Sequence, residues 1–412
     1  MSGGKELLFV STRFLFPVDS GGKIRTTQVL RGLKGGEFRI ILASPATAQC
    51  VRQWQDELEN VCDEFQWWGE PKRWPLFRYT RLRYLFSKLP VPVRTDQHPA
   101  GIELVGRLLK KEPDVVVFDF AHSGALMPAD LQTASLVFTH NVEAEIFRRH
   151  FEVADNPITR AIWKNQYRKM IDFEGHVLGK FDVVVAVADR DSDQFVSHYR
   201  VTEPFVIPTG VDLEFFRFSE PALDRKVVFL GSMDWMANQD GIRWFMDEVW
   251  SHIQAKVTDA SMTVVGRSPP VDLVREARRR GLAWTFTGFV DDVRPHVEGS
   301  AVSVIPLRVG GGTRLKVYEA MAMGSPIVST SIGVEGLPVQ RDRHFLEAND
   351  PHQFAEAVVS LLTSPEKRVL LARKARSLVE EEFSFEVASR AFEEACNLAI
   401  SRWSNGPAEG IA

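Results

Sequence analysis

Short runs of Val, Ile, Leu and Phe, each closed by a turn and followed by a helical stretch, recur through this chain in two successive series. The first opens at Leu7–Val10 and continues through Phe38–Ala43, the PDVVVFDF run ending at Phe120, ASLVFT ending at Thr139 and FDVVVAVA from Phe181. The second restarts at Val227–Leu230 and continues through SMTVVG, WTFTGFV and AVSVIPL, the last ending at Leu307. Near-continuous apolar strands are what a parallel sheet buried on both faces requires, and regular alternation with helices selects a doubly wound α/β architecture. The fold class expected is therefore α/β, with two Rossmann-like domains facing a central cleft. At 412 residues the chain exceeds the size at which one core stops growing, roughly 250–300 residues. The boundary falls in RVTEPFVIPTGVDLEFFRFSEP: 1–205 form the first domain, 206–222 the linker and 223–384 the second domain. The last amphipathic stretch, 385–412, is longer than the second domain needs for closure and is expected to cross back to the first.

Charge and cysteine content exclude several classes. A net charge of −4 argues against a dedicated nucleic-acid binder. Cys50, Cys62 and Cys396 lack metal-ligand spacing and fit a reducing compartment better than a disulfide framework. No apolar run reaches the ~18–20 residues of a membrane span, and the N-terminal run is short for a signal peptide. The expected location is cytoplasmic. Residues 71–94, PKRWPLFRYTRLRYLFSKLPVPVR, hold seven cations among aromatic rings and no acid. Such a segment suits the face of an anionic bilayer or a lipid-linked acceptor, and equally a hairpin with core aromatics and solvated cations.

The stretch VIPLRVGGGTRLKVYEAMAMGSPIVST, residues 304–330, reads as strand, glycine loop, helix and strand. The helix is expected from about Thr313 to Met323, stopped by Gly324 and Pro326. Helix N-termini favour acids, yet here Arg314 and Lys316 occupy the first turn, so something negative belongs there. Glycine amides at Gly311 and Gly312, a helix start and two cations describe a diphosphate site, against the plainer alternative of a solvated helix with a Lys316–Glu319 pair. The same device, less complete, follows the first strand: Gly21 and Gly22 lead into a helix whose Arg25 is placed to face an anion or solvent. His140, with Asn141 and Glu143, lies just past the C-terminal end of ASLVFT, where open α/β sheets bind ligands.

These motifs resemble the GT-B glycosyltransferases, specifically family four, the retaining transferases that use nucleotide sugars, and within it bacterial exopolysaccharide-type sugar transferases. The likeness rests on the first glycine loop, FTHNVE, IPTGVDLEFF, GSMDWMANQDGIRWF, TGFVDDV and GGGTRLKVYEAMAMGSPIV, and it covers nearly the whole chain. It implies that the second domain holds a nucleotide-diphosphate sugar and the first an acceptor, glycan or lipid-linked. Glu319 then matches the second glutamate of the family's E-x7-E motif and receives the ribose hydroxyls. His140 matches the family histidine near the transferred sugar. Gly288 and Phe289 lie beside the base. Two departures stand out. Gly311 replaces the first motif glutamate, and GSMDWMANQDG lacks the diphosphate-binding Arg and Lys usual there, so Arg314 and Lys316 are expected to take over their charge.

A leaving diphosphate develops negative charge, which these cations would stabilise without a metal or other cofactor. The resemblance, with no obvious carboxylate nucleophile in the sequence, further implies front-face attack, with the leaving phosphate taking the acceptor proton. The alternatives are a nucleotide-sugar epimerase, which needs no acceptor, and a non-catalytic sugar-nucleotide binding protein.

Overall fold

The structure, a computed structural model, describes residues 4–69, 82–152, 154, 156–309 and 314–406. It divides into two compact units: one runs to Pro208 and takes up the chain again from Ala388, and the other is Thr209–Val387.

In the first unit, seven described strands form a parallel sheet: β1 (Lys5–Ser11), β2 (Phe38–Ala46), β3 (Glu64–Gly69), β4 (Val115–Asp119), β5 (Ser135–Phe138), β6 (Val183–Ala186) and β7 (Phe205–Val206). Their spatial order is β3-β2-β1-β4-β5-β6-β7, so the winding reverses between β1 and β4. There Ser11 is the register partner of Asp119. Such reversal points open a crevice beyond the strand C-termini. The β4 and β5 side chains are buried throughout. The closing helix Phe385–Ser404 covers this sheet with Ala388, Phe392, Ala395, Cys396 and Ala399. Phe392 is wholly buried, 4.9 Å from the Phe138 ring and 6.4 Å from that of Phe9. Lys5 Nζ to Asn397 Oδ1 at 2.7 Å fastens the helix to the start of β1.

The second unit repeats the plan with β8 (Lys226–Leu230), β9 (Ser261–Val265), β10 (Trp284–Gly288), β11 (Val302–Ile305), β12 (Ile327–Ser329) and β13 (Leu346–Glu347), ordered β10-β9-β8-β11-β12-β13. The reversal lies between β8 and β11. Both loops leaving those strands belong to motifs singled out in the sequence.

Local differences have local causes. The helix expected from Thr313 runs over Leu315–Ala322, because Arg314 adopts a left-handed backbone (φ 49°, ψ 29°) and so caps the helix rather than joining it. Of the basic aromatic segment, 71–81 lie outside the described residues. The remainder is not one helix: it forms a short 3-10 turn at Arg83–Phe86 and a helix at Val91–Asp96, separated by residues 87–90. No helix among the described residues is long and apolar enough to cross a membrane.

Candidate active site

At the first unit's reversal point, β4 ends in a carboxylate. Asp119 Oδ2 accepts from Ser11 Oγ at 2.9 Å, and Oδ1 accepts from Thr26 Oγ1 at 3.0 Å. His140 Nε2 lies 2.7 Å from the same Oδ1. A carboxylate only accepts, so Nε2 carries the proton and Nδ1 keeps its lone pair. Nδ1 is buried and has no hydrogen-bond partner. The ring is held between Phe120, 4.0 Å away, and Phe138, 4.7 Å away. Burial lowers the His140 pKa and the Asp119 hydrogen bond opposes that shift. The product is a neutral, rigidly oriented imidazole with one basic nitrogen available. Sequence reasoning located His140 and missed Asp119; the available signal was an acid closing an otherwise apolar strand, VVVFD.

Helix Gly21–Leu33 begins at the expected glycines. A Cβ on Gly22 would stand 2.5 Å from Phe120 Cζ, so that position admits only a close approach to the ring beside His140, whereas Gly21 faces open space. Arg25 corrects the expectation that it faces an anion. Its NH1 donates to Thr139 O at 2.6 Å and its NH2 to Ile207 O at 2.5 Å, with the guanidinium 4.1 Å from the Phe138 ring centroid. It ties the ends of β5 and β7 to the helix and presents no free fork.

Helix Glu143–Glu152, which follows His140, has its N-terminus filled from within. Glu174 Oε1 and Oε2 accept from the Glu143 and Ala144 amides at 2.7 and 2.9 Å, and Tyr199 OH adds a third donor at 2.8 Å. Burial pushes Glu174 up to about 7 despite those donors. The dipole that elsewhere binds phosphate is thereby already satisfied.

The second unit's reversal point has the opposite character. Gly266 approaches Gly231 so closely that a Cβ there would lie 1.9 Å from Gly231 O, which fixes the Gly231–Asp234 turn against the end of β9. Arg267 Nε donates to Ser232 Oγ at 2.8 Å and to Asp234 Oδ2 at 3.1 Å. From the next element, helix Met236–Trp244, Asn238 Nδ2 donates to Ser232 O at 2.8 Å. Asn238 Oδ1 accepts from Lys316 Nζ at 3.0 Å, and that ammonium also stands 4.6 Å from the Phe229 ring centroid. The turn that lacks its own Arg and Lys thus acquires one cation from β9's exit and one from the later helix. Arg267 was missed because nothing in SMTVVGR marks a strand-end arginine as special.

Lys316 and Glu319 share this helix, yet no ion pair joins them among the described residues; Lys316 reaches Asn238 instead. Burial and the neighbouring Arg314 charge bring Lys316 down to about 7, with Glu319 opposing. Burial raises Glu319 to about 7 against the pull of Lys316. Arg314 is buried at the head of the helix, whose first turn holds no acid. Gly311 and Gly312 lie outside the described residues. Gly288 closes β10 with φ +73°, and Phe289 after it exposes 74% of its surface. No cluster of His, Cys, Asp and Glu among the described residues could hold a metal ion.

Comparison with known proteins agrees with this division. Residues 21–215 match the family model described as Glycosyltransferase Family 4, and 224–364 match that described as Glycosyl transferases group 1. Two Rossmann-like units with these matches define a GT-B glycosyl-transferring enzyme. The chain belongs to the group 1, family 4 glycosyltransferases. A Klebsiella pneumoniae relative, an uncharacterized 44.6 kDa protein in the cps region, is 20% identical over 94% of this chain and 99% of its own. Among solved structures, sucrose-phosphate synthase from Thermosynechococcus elongatus superposes with a TM-score of 0.67 at 15% identity, covering 96% of this chain and 99% of that one. Anabaena HepE in complex with UDP and glucose gives 0.65 at 13% identity, covering 95% and 99%. A mutant of S. aureus TarM with Fondaparinux, alpha-GlcNAc-glycerol and UDP gives 0.66 at 10% identity, covering 95% and 100%. These likenesses establish the fold.

Proposed function

We propose that the enzyme transfers a sugar from a nucleotide-diphosphate donor to a glycan or lipid-linked acceptor, with retention and without a metal. The carrying observation is the Lys316 ammonium, brought to 3.0 Å from Asn238 beside a glycine turn at a sheet reversal point. There it substitutes for the cations that the Gly231–Asp234 turn lacks. In this reading Lys316, Arg314 and Arg267 hold the diphosphate and stabilise charge as it departs. Glu319 takes the ribose hydroxyls, Phe289 flanks the base, and amides of Gly311 and Gly312 serve the phosphates. UDP in the HepE and TarM structures supports the donor class.

His140 acts on the sugar. With Nε2–H committed to Asp119, its Nδ1 accepts a hydrogen bond from a sugar hydroxyl and fixes the ring as the bond to phosphate lengthens. The leaving phosphate takes the acceptor proton on the face it leaves. A growing polysaccharide is the acceptor class that the cps-region relative supports.

The test is a panel of UDP-, GDP-, ADP- and dTDP-sugars read by thermal stabilisation, followed by proton NMR of the released sugar with EDTA present. The expected result is one stabilising nucleotide class and slow release of the α-anomer from an α-linked donor. Conversion of the sugar nucleotide into its epimer, or binding without release in the presence of varied glycans, would replace this reading with the corresponding alternative.

We also infer a peripheral place on anionic membrane through the segment around Phe86. Phe86 is 93% exposed and Leu82 55%, beside the exposed Arg83 and Lys88. Co-sedimentation with phosphatidylglycerol vesicles at low salt should be lost in Phe86→Ser. Equal sedimentation of both proteins would exclude this segment.

A further inference from the structure

A second imidazole sits at the same rim of the first unit, and the transfer chemistry described above does not use it. His122, two residues beyond Phe120, is 4% exposed. Its Nδ1 lies 3.5 Å from Asp96 Oδ2 and its Nε2 3.5 Å from Glu143 Oε2. Both distances are at the outer limit for a hydrogen bond, and Nε2 makes none. Thr12 Oγ1, at the exit of β1, is likewise 3.5 Å from Asp96 Oδ2. Burial would lower the His122 pKa, but the Glu143 and Asp96 carboxylates outweigh it and raise it. Four polar side chains from four separate parts of the chain therefore converge without closing on one another. A buried polar group left unpaired is costly, so a buried set that serves stability alone tightens to direct bonds.

The geometry points to a subsite, formed by Thr12, Asp96, His122 and Glu143, that binds the hydroxyls of a non-acidic sugar unit of the acceptor. Two carboxylates can each take hydroxyl hydrogens, and the imidazole between them can give one back. An anionic group has no hydrogen to offer these oxygens. The neighbouring helix N-terminus is no alternative berth, since Glu174 already fills it. Glu143 is three residues from His140 and its charge acts on that imidazole, so a sugar held here is presented toward the histidine assigned to the transferred sugar. This assignment rests on the proposed transfer function for its meaning, though not for its test.

The probes are methyl α-D-glucopyranoside, methyl α-D-mannopyranoside, methyl β-D-galactopyranoside and methyl β-D-glucuronide, titrated into the full chain and followed by saturation-transfer NMR. At least one neutral glycoside should bind, and the glucuronide should bind more weakly than that one. Glu143→Gln alone and Asp96→Asn/Glu143→Gln together should each weaken the neutral glycoside by about tenfold or more, the effect of losing a charge-assisted bond. Both variants should keep the wild-type melting temperature and UDP-induced stabilisation, which separates subsite loss from misfolding. Should Asp96→Asn disturb the fold, the single Glu143→Gln variant decides. Failure of every neutral glycoside to bind, or binding unchanged in folded Glu143→Gln, overturns the subsite. Loss of nucleotide binding in the wild type would instead overturn the transfer function and leave this titration readable.

Discussion

The two sheets have the same winding and carry opposite chemistry at the point where it reverses. In the first unit β4 delivers Asp119, which organises His140, Thr26 and Ser11, and the next helix start is filled by Glu174. In the second, β8 delivers a glycine turn whose Asp234 pairs with Arg267, Lys316 brings a further cation to the neighbouring Asn238, and the helix after the β11 loop opens with no acid. The backbone supplies a crevice in both places; the side chains decide what it can hold. In the proposed function one rim, with its acceptors and oriented imidazole, serves hydroxyl groups, and the other, with its cations, serves the diphosphate. A transfer from diphosphate to hydroxyl needs one of each.

The comparison breaks most sharply at Lys316. Lys316→Ala removes an ammonium from the developing diphosphate charge and should lower turnover by about 10²–10³-fold, with donor-induced thermal stabilisation lost. At the other rim, Asp119→Asn leaves the shape of the strand end but removes the charge that strengthens its hold on the His140 Nε2–H. Turnover should fall by about ten- to hundredfold, the effect of one lost charge-assisted bond, while donor affinity stays within a factor of about two. If Asp119→Asn weakened the donor as Lys316→Ala does, the two rims would not be separate in function.

A pH titration sharpens the same contrast. Burial and Arg314 hold Lys316 near 7, well below its ordinary value, so the ammonium is present at pH 6 and largely gone at pH 8. Affinity for the nucleoside diphosphate, measured calorimetrically, should therefore fall as pH rises through 7, by at most about tenfold per pH unit for one linked proton. Lys316→Arg should flatten the profile because a guanidinium stays charged.

Stability separates the units as well. Phe392→Ala empties a wholly buried position against Phe9 and Phe138 and should cost about 3–5 kcal/mol, read from denaturant unfolding, in the unit that holds His140. Smallest of all, Arg225→Ala breaks a solvent-exposed ion pair with Asp259 and should leave the denaturant midpoint unchanged. A large loss there would mean the second unit depends on its surface charge.

Much of this was legible from residue order. Continuous Val-rich runs fixed a parallel sheet, because only strands covered on both faces read that way. A pair of cations at a helix start drew attention to Arg314 and Lys316, because the dipole disfavours them there. What escaped depends on distant chain segments meeting. Asp119 and His140 are separated by a whole crossover, and Arg267 reaches the Gly231–Asp234 turn from another strand. Arg25 misled for a related reason: a cation behind a glycine loop reads as an anion ligand until the carbonyls of Thr139 and Ile207 are known to converge on it. Local sequence reports local electrostatics and periodicity, and long-range hydrogen bonding leaves little trace in it.

The most direct test of the divided chemistry is to titrate UDP and GDP calorimetrically into wild type, Lys316→Ala and Asp119→Asn, with turnover of the matching sugar donor measured in parallel. The account predicts that one nucleotide binds wild type and Asp119→Asn alike and does not bind Lys316→Ala, while turnover falls in both variants. Nucleotide binding retained by Lys316→Ala and lost by Asp119→Asn would contradict it, and would place the donor in the first unit.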